Sequence, residues 1–91
     1  MENPEKIHWN EEAKEKFKFL VGKMPVFLQS MAEQRVSERA LDLAQKAHHS
    51  EITEKDMVDA FFTETPFGFQ GLMKNDLTEA GINYTQYGYT K

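Results

Sequence analysis

Residues 23–60 read KMPVFLQSMAEQRVSERALDLAQKAHHSEITEKDMVDA, and this stretch decides the fold. Pro25 suits a first helical position, where its missing N–H would find no intrahelical partner and its fixed φ is already helical. No Gly or Pro follows until Pro66, and the interval is rich in Ala, Leu, Met, Glu, Gln and Arg, all good helix formers. The stretch therefore reads as one long helix from Pro25 to His48, a short break from His48 to Ile52, and a second helix opened by Thr53. Asp56, three residues after Thr53, gives a shortened capping box.

At helical spacing Ala32, Leu43, Val36, Ala47, Ala40, Val26 and Ala44 share one broad face of the long helix, expected to enter a core. Arg35, Glu38, Arg39, Asp42 and Lys46 lie opposite, with Arg35/Glu38 and Arg39/Asp42 at i,i+3 and Asp42/Lys46 at i,i+4, the pattern of a solvated face. Phe27, Leu28 and Met31 fall outside the broad face in the first two turns, so this end is expected to be wrapped on more than one side. Gln29 and Glu33 project into or beside the apolar sector, where a carboxylate needs water, a partner or an altered pKa. They either reach water at the helix boundary or face a groove that receives a partner or ligand.

Working outward, Met1 to Lys6 is polar and expected to fray. Asn10 is a good N-cap, and Glu11 and Glu12 suit the positive end of the helix dipole. Ala13, Phe17, Leu20, Val21 and Met24 then form one stripe of a helix from Asn10 to Val21, stopped by Gly22. The turn to Pro25 is short enough to make the first two helices antiparallel neighbours. Met57, Ala60 and Phe61 form the buried stripe of a third helix, Thr53 to Thr63. A fourth is expected from Pro66 to Ala80, where Phe69, Leu72, Met73, Leu77 and Ala80 keep a helical period before Gly81 and Ile82 stop it. Asn83 to Lys91 holds Tyr84, Tyr87 and Tyr89 among small polar residues, and reads as an aromatic strap packed back on the domain or as a tail that meets a partner. The fold class is all-α, a compact bundle of three core helices with a long central helix, a fourth helix and an aromatic tail. It is read as a single domain over 1–91, with a core at 7–63 and a C-terminal extension at 64–91.

Composition narrows function by exclusion. The 91 residues contain no cysteine, hence no disulfide, thiolate nucleophile or cysteine metal ligand, and a reducing cytoplasm is the expected compartment. The charged start and the lack of any long apolar run argue against a signal peptide or a membrane span. A formal net charge of −4 disfavours nucleic acid, which is held by an excess of Lys and Arg. His48 and His49 are adjacent and so diverge by about 100° on a helix, which is not a metal-ligand spacing. They are read as partners of the helix C-terminus, and no metal or other cofactor is expected. No Ser-His-Asp set or glycine-rich phosphate loop is present, so the chain is read as a non-enzyme.

Trp9 before an acidic helix start with Ala13, then Leu20, then Pro25 with Phe27 and Leu28, then Ala40, then Ile52-Thr53 and Ala60, form an ordered set. As a set they resemble the small domain at the C-terminus of the B subunit of light-independent protochlorophyllide reductase, over about Ile7 to Phe62. That resemblance implies a non-catalytic helical interaction or accessory module whose protein partner is a redox or metallocofactor enzyme. It also implies an alternative, a small-ligand domain taking a flat tetrapyrrole-like molecule. The candidate groove for partner or ligand is Trp9, Phe27, Gln29, Met31 and Glu33, and the candidate partner tail is Tyr84, Tyr87 and Tyr89. A further alternative is a histone-like dimeric domain, from the long helix followed by Ile52-Thr53, Asp56 and a short helix, and self-association is open.

Overall fold

The structure, a computed structural model, describes residues 7–91. The Met1 to Lys6 segment lies outside the described residues.

The first three helices start within a residue of the expected polar or proline cap. Helix α1 spans Glu11–Gly22, and one of its first-turn amides is met by Asn10, whose side chain accepts from the Ala13 N–H at 3.0 Å. Helix α2 spans Val26–Lys46 and is preceded by Pro25, which stands in an extended conformation just outside the helix. Helix α3, Glu54–Glu64, is opened by a complete capping box: Thr53 accepts from the Asp56 N–H, and the Asp56 carboxylate accepts from the Thr53 N–H. The fourth helical segment is split. Pro66 leads into a 3₁₀ turn at Phe67–Phe69, and helix α4 follows at Gln70–Glu79. Gly68 and Gly71, poor helix formers in succession, weaken the first turn of what the sequence pattern extends back to Pro66. The architecture is an all-α bundle.

Two helices end in the same way. The Gly81 and Ile82 amides turn back to the carbonyls of Thr78 and Leu77, with Gly81 at φ 80°. At the end of α2 the His48 and His49 amides return to Gln45 and Ala44, and His48 takes the left-handed position at φ 60°. Glycine is the usual occupant there because its missing Cβ removes the clash with the following carbonyl.

Two very short strands escape the sequence pattern. Strand β1, His8–Trp9, runs parallel to strand β2, Glu51–Ile52, pairing His8 with Glu51 and Trp9 with Ile52. The Asn10 N–H extends this ladder to the Ile52 carbonyl at 3.0 Å, and the Asn10 amide side chain donates to Glu51. Two residues are too few for alternation to register in a sequence.

The core is centred on α3 rather than on the long helix. Asp56, Met57, Val58, Ala60 and Phe61 of its 11 residues are buried, so α3 is covered on several sides. Of the 21 residues of α2, those buried are Val36, Ala40 and Ala44. The reason is length: at about 1.5 Å per residue α2 is roughly twice as long as α3, which is the helix it chiefly packs against. The first turns of α2 therefore overhang. Val26 and Ala47, expected in the core, are exposed, and the start of α2 is not wrapped on several sides but open on Val26, Phe27, Leu28 and Met31. In the fourth helix Met73 and Leu77 are buried, but Phe69 and Leu72 face outward. Residues after 63 join the same core through Met73, Leu77, Ile82 and Tyr84, so the C-terminal segment is integral to it.

Candidate interaction surface

The start of α2 is held in place from below. The α1–α2 turn is closed by the Lys23 and Met24 amides, which return to carbonyls of α1. Lys23 then reaches the Glu79 carboxylate at 2.6 Å, tying the turn to the end of α4, while its ammonium lies 5.7 Å from the Phe19 ring centre. The hydrogen bond and charge of Glu79 raise the Lys23 pKa above its ordinary value. Gln29 is half-buried and donates to the Met24 carbonyl at 2.9 Å, which locks the first turn onto the residue before Pro25. On this footing Val26 is 83% exposed and Phe27 82%, with Met31 half and Leu28 about a third exposed. All four side chains stand in the first two turns of α2, with Phe27 and Met31 on one face and Val26 and Leu28 to either side of it.

The five residues expected to form one groove are not brought together. Trp9 is in β1, paired beside Ile52 just beyond the C-terminal end of α2, and it stacks on Phe17 with ring centres 4.8 Å apart. Phe27 is in the first turn of α2, about 30 Å away along the helix. Gln29 is spent on the Met24 carbonyl, and Glu33 is in solvent. Phe27 and Met31, at i,i+4, do share a face.

The tyrosine tail is a strap over α3. Tyr84 is buried against Phe62, and Tyr89 stacks on Phe62 with ring planes 3.7 Å apart by centres and 3° from parallel. Tyr87 donates to Glu54 at 2.7 Å, and Tyr89 donates to Asp59 at 2.5 Å. Burial, followed by these carboxylate partners, pushes both phenols above their ordinary value of 10.0. A second apolar set, which the helical period assigned inward in part, sits around the 3₁₀ turn: Phe67 is 89% exposed, with Phe69 and Leu72 also exposed. Pro66 and Gly68 were its sequence signal, since they mark a turn in which a regular apolar stripe cannot continue.

The polar clusters are structural in form. Asp56, 3% exposed, accepts at one carboxylate oxygen from the Thr53 N–H, the Thr53 hydroxyl and His49 Nδ1, the last at 2.7 Å. His49 thus reaches into the cap of α3, while His48 is exposed. On the charged side of α2, Arg39 bridges to Glu64 at 3.0 Å, with Asp42 between Arg39 and Lys46. Among the described residues no group of three or more His, Cys, Asp or Glu side chains is placed to hold a metal ion. No described helix is long and apolar enough to cross a membrane.

Residues 2–90 match the family described as "Protein of unknown function (DUF2621)". The chain belongs to this family. That match spans helices, 3₁₀ turn and strap together, and it overturns the resemblance to the protochlorophyllide reductase domain over Ile7 to Phe62. The residues behind that resemblance have local work in this DUF2621 chain: Pro25 precedes α2, Thr53 caps α3, Ala13, Leu20, Ala40, Ile52 and Ala60 fill the core, and Trp9 stacks on Phe17. Helix punctuation and small core residues of this kind recur in unrelated bundles. No curated protein and no solved structure matches the chain.

Proposed function

We propose that this DUF2621 chain is a non-catalytic, cytoplasmic helical module that works by binding another protein chain through the first two turns of α2. The observation that carries this reading is the overhang: Val26, Phe27, Leu28 and Met31 stand exposed together on a regular, anchored helix. Residues 24–32 include no charged side chain, and charge depletion marks the centre of protein interfaces. A lone exposed leucine would need no explanation, whereas four neighbouring apolar side chains in two turns do.

The test is in-cell photo-crosslinking with a photoreactive phenylalanine analogue in place of Phe27 and, as a control, in place of the exposed Lys14 on α1. A discrete adduct to a protein chain at position 27 and none at position 14 is expected. No adduct at 27, or the same adducts at both positions, refutes the reading.

A further inference from the structure

The tail after α4 is held in two different ways. Ile82 and Tyr84 are buried, and the Ile82 N–H returns to the Leu77 carbonyl, so the chain up to Tyr84 belongs to the core. Beyond Tyr84 no residue is buried: Tyr87 and Tyr89 are half-buried, and Gln86, Gly88, Thr90 and Lys91 are exposed. We propose that residues 85–91 form a lid that swings off α3 as one unit while the helices stay folded, with the Tyr87 and Tyr89 hydroxyls as its two catches.

The attachments are few and are made by side chains. Tyr87 donates to Glu54, Tyr89 donates to Asp59, and the Tyr89 ring lies flat on Phe62. The Gln86 and Gly88 amides bond within the tail, to the carbonyls of Asn83 and Thr85, and among the described residues no backbone group of 85–91 bonds to α3 or α4. Opening also strands no charge. Glu54 keeps Lys16 at 3.0 Å and Asp59 keeps Lys55 at 2.7 Å when the phenols depart, and both carboxylates already reach water. Opening is costly where a buried acceptor loses its sole donor, and neither acceptor here is in that position.

The pivot is Thr85 and Gln86, between buried Tyr84 and the first catch. Gly88, at φ 98°, reverses the chain inside the lid, which is how Tyr84 and Tyr89 both come to lie against Phe62. With that turn closed by the Gly88 amide, Tyr87 and Tyr89 leave together.

What the lid governs is access to Phe62. A hollow of about 350 Å³ is lined by Phe62, Thr63, Gln70 and Lys74 on the helix side and by Tyr89 and Thr90 on the lid side. Opening removes the second wall and leaves a ledge between α3 and α4 with one aromatic face and one cation. A negative charge placed on either ring of the lid faces Glu54 or Asp59 and drives it open.

The experiment is nuclear magnetic resonance of the full chain, whose three tyrosines give separately assignable ring signals, with circular dichroism as the fold control. In the wild type the Tyr89 ring protons should be displaced by the Phe62 ring on which they stack. Tyr87→Glu should carry them more than half of the way to free-tyrosine positions, although the contacts of Tyr89 itself are untouched, while Tyr84 and the dichroism stay unchanged. Tyr87→Phe removes the hydroxyl alone and should give a smaller move in the same direction. A Tyr89 ring unmoved by both variants overturns the lid, because the two catches then act separately. A Tyr84 ring that moves with Tyr89, or lost dichroism in Tyr87→Phe, overturns it because the strap then leaves only with the bundle. A wild-type Tyr89 ring already at the free position overturns it because nothing is closed.

Discussion

Replacing Asp56 by alanine should be among the most damaging single changes in the molecule, although Asp56 touches no proposed surface. Its carboxylate is almost wholly buried and serves three donors at one oxygen: the Thr53 N–H, the Thr53 hydroxyl and His49 Nδ1. Losing the capping arrangement costs about 1 kcal/mol, with a range of about 0.5–2. The bonds from the Thr53 hydroxyl and the His49 ring add about 1 kcal/mol each, and donors left without acceptors in a closed site raise the cost further. The total is about 3 kcal/mol, a large fraction of the stability of a 91-residue chain. In urea, at about 1–1.5 kcal/mol per molar for a domain of this size, the unfolding midpoint should fall by about 2–3 M. Asp56→Asn retains an acceptor oxygen without the charge and should lose roughly half as much. A double-mutant cycle with Thr53→Ala should show coupling of at least about 1 kcal/mol, since the two residues cap each other. A midpoint shift below about 0.5 M for Asp56→Ala would mean that the cap and the His49 contact do not hold α3, and the account of the core as built on that helix would fail.

Other outcomes follow from the same geometry. His48→Gly should stabilise the chain by about 0.5–1 kcal/mol, seen as a raised thermal midpoint, because glycine relieves the left-handed backbone at the end of α2; an unchanged midpoint would contradict that strain. Tyr87 and Tyr89 hold their phenolic protons more tightly when folded than when unfolded, so their contribution is complete below about pH 10 and is lost as pH climbs beyond it. Denaturation monitored from pH 8 to 11 should show that alkaline decline, and Tyr87→Phe together with Tyr89→Phe should flatten it. Phe61→Ala should cost about 3–5 kcal/mol in urea denaturation, whereas Phe27→Asp should change stability by less than about 0.5 kcal/mol, the contrast expected between a buried and an overhanging ring.

Much of the fold was legible because it is written locally. Asn10, Pro25 and Thr53 mark helix starts through bonds or backbone angles that involve only the next three residues, and the stripe Ala13, Phe17, Leu20 records the inward face of α1. The fate of Val26 was not legible, since periodicity reports which face of a helix is apolar and not how long its neighbour is. Leu72 was misassigned for a related reason: it follows the same period as Met73 and Leu77, but the break at Gly68 and Gly71 sets how α4 docks. The left-handed turn at the end of α2 carries no glycine to announce it, because His48 occupies the place. Within the candidate surface, Phe27 and Met31 were visible as apolar residues off the main face. Their separation from Trp9 was not, because it depends on pairing between strands that lie on either side of two helices. The tyrosines could be read as a strap or a free tail from composition alone; what decides between them is the match of Tyr87 and Tyr89 to Glu54 and Asp59, which no spacing encodes.

The small ladder between His8–Trp9 and Glu51–Ile52 also bears on how the chain reaches its native state. It joins segments 41 positions apart, as measured by the Asn10–Glu51 bond, and closing a loop of that length costs about 3 kcal/mol of chain entropy in the simplest polymer treatment. Two residue pairs cannot meet that cost from an unfolded chain, so the ladder forms once α1 and α2 have already brought their far ends together. It should therefore act as a latch that closes late on the folding route and opens early on the unfolding one. Amide exchange at Asn10 should then be faster than at Ala44 in α2, with the rest of the bundle still intact when the latch is open.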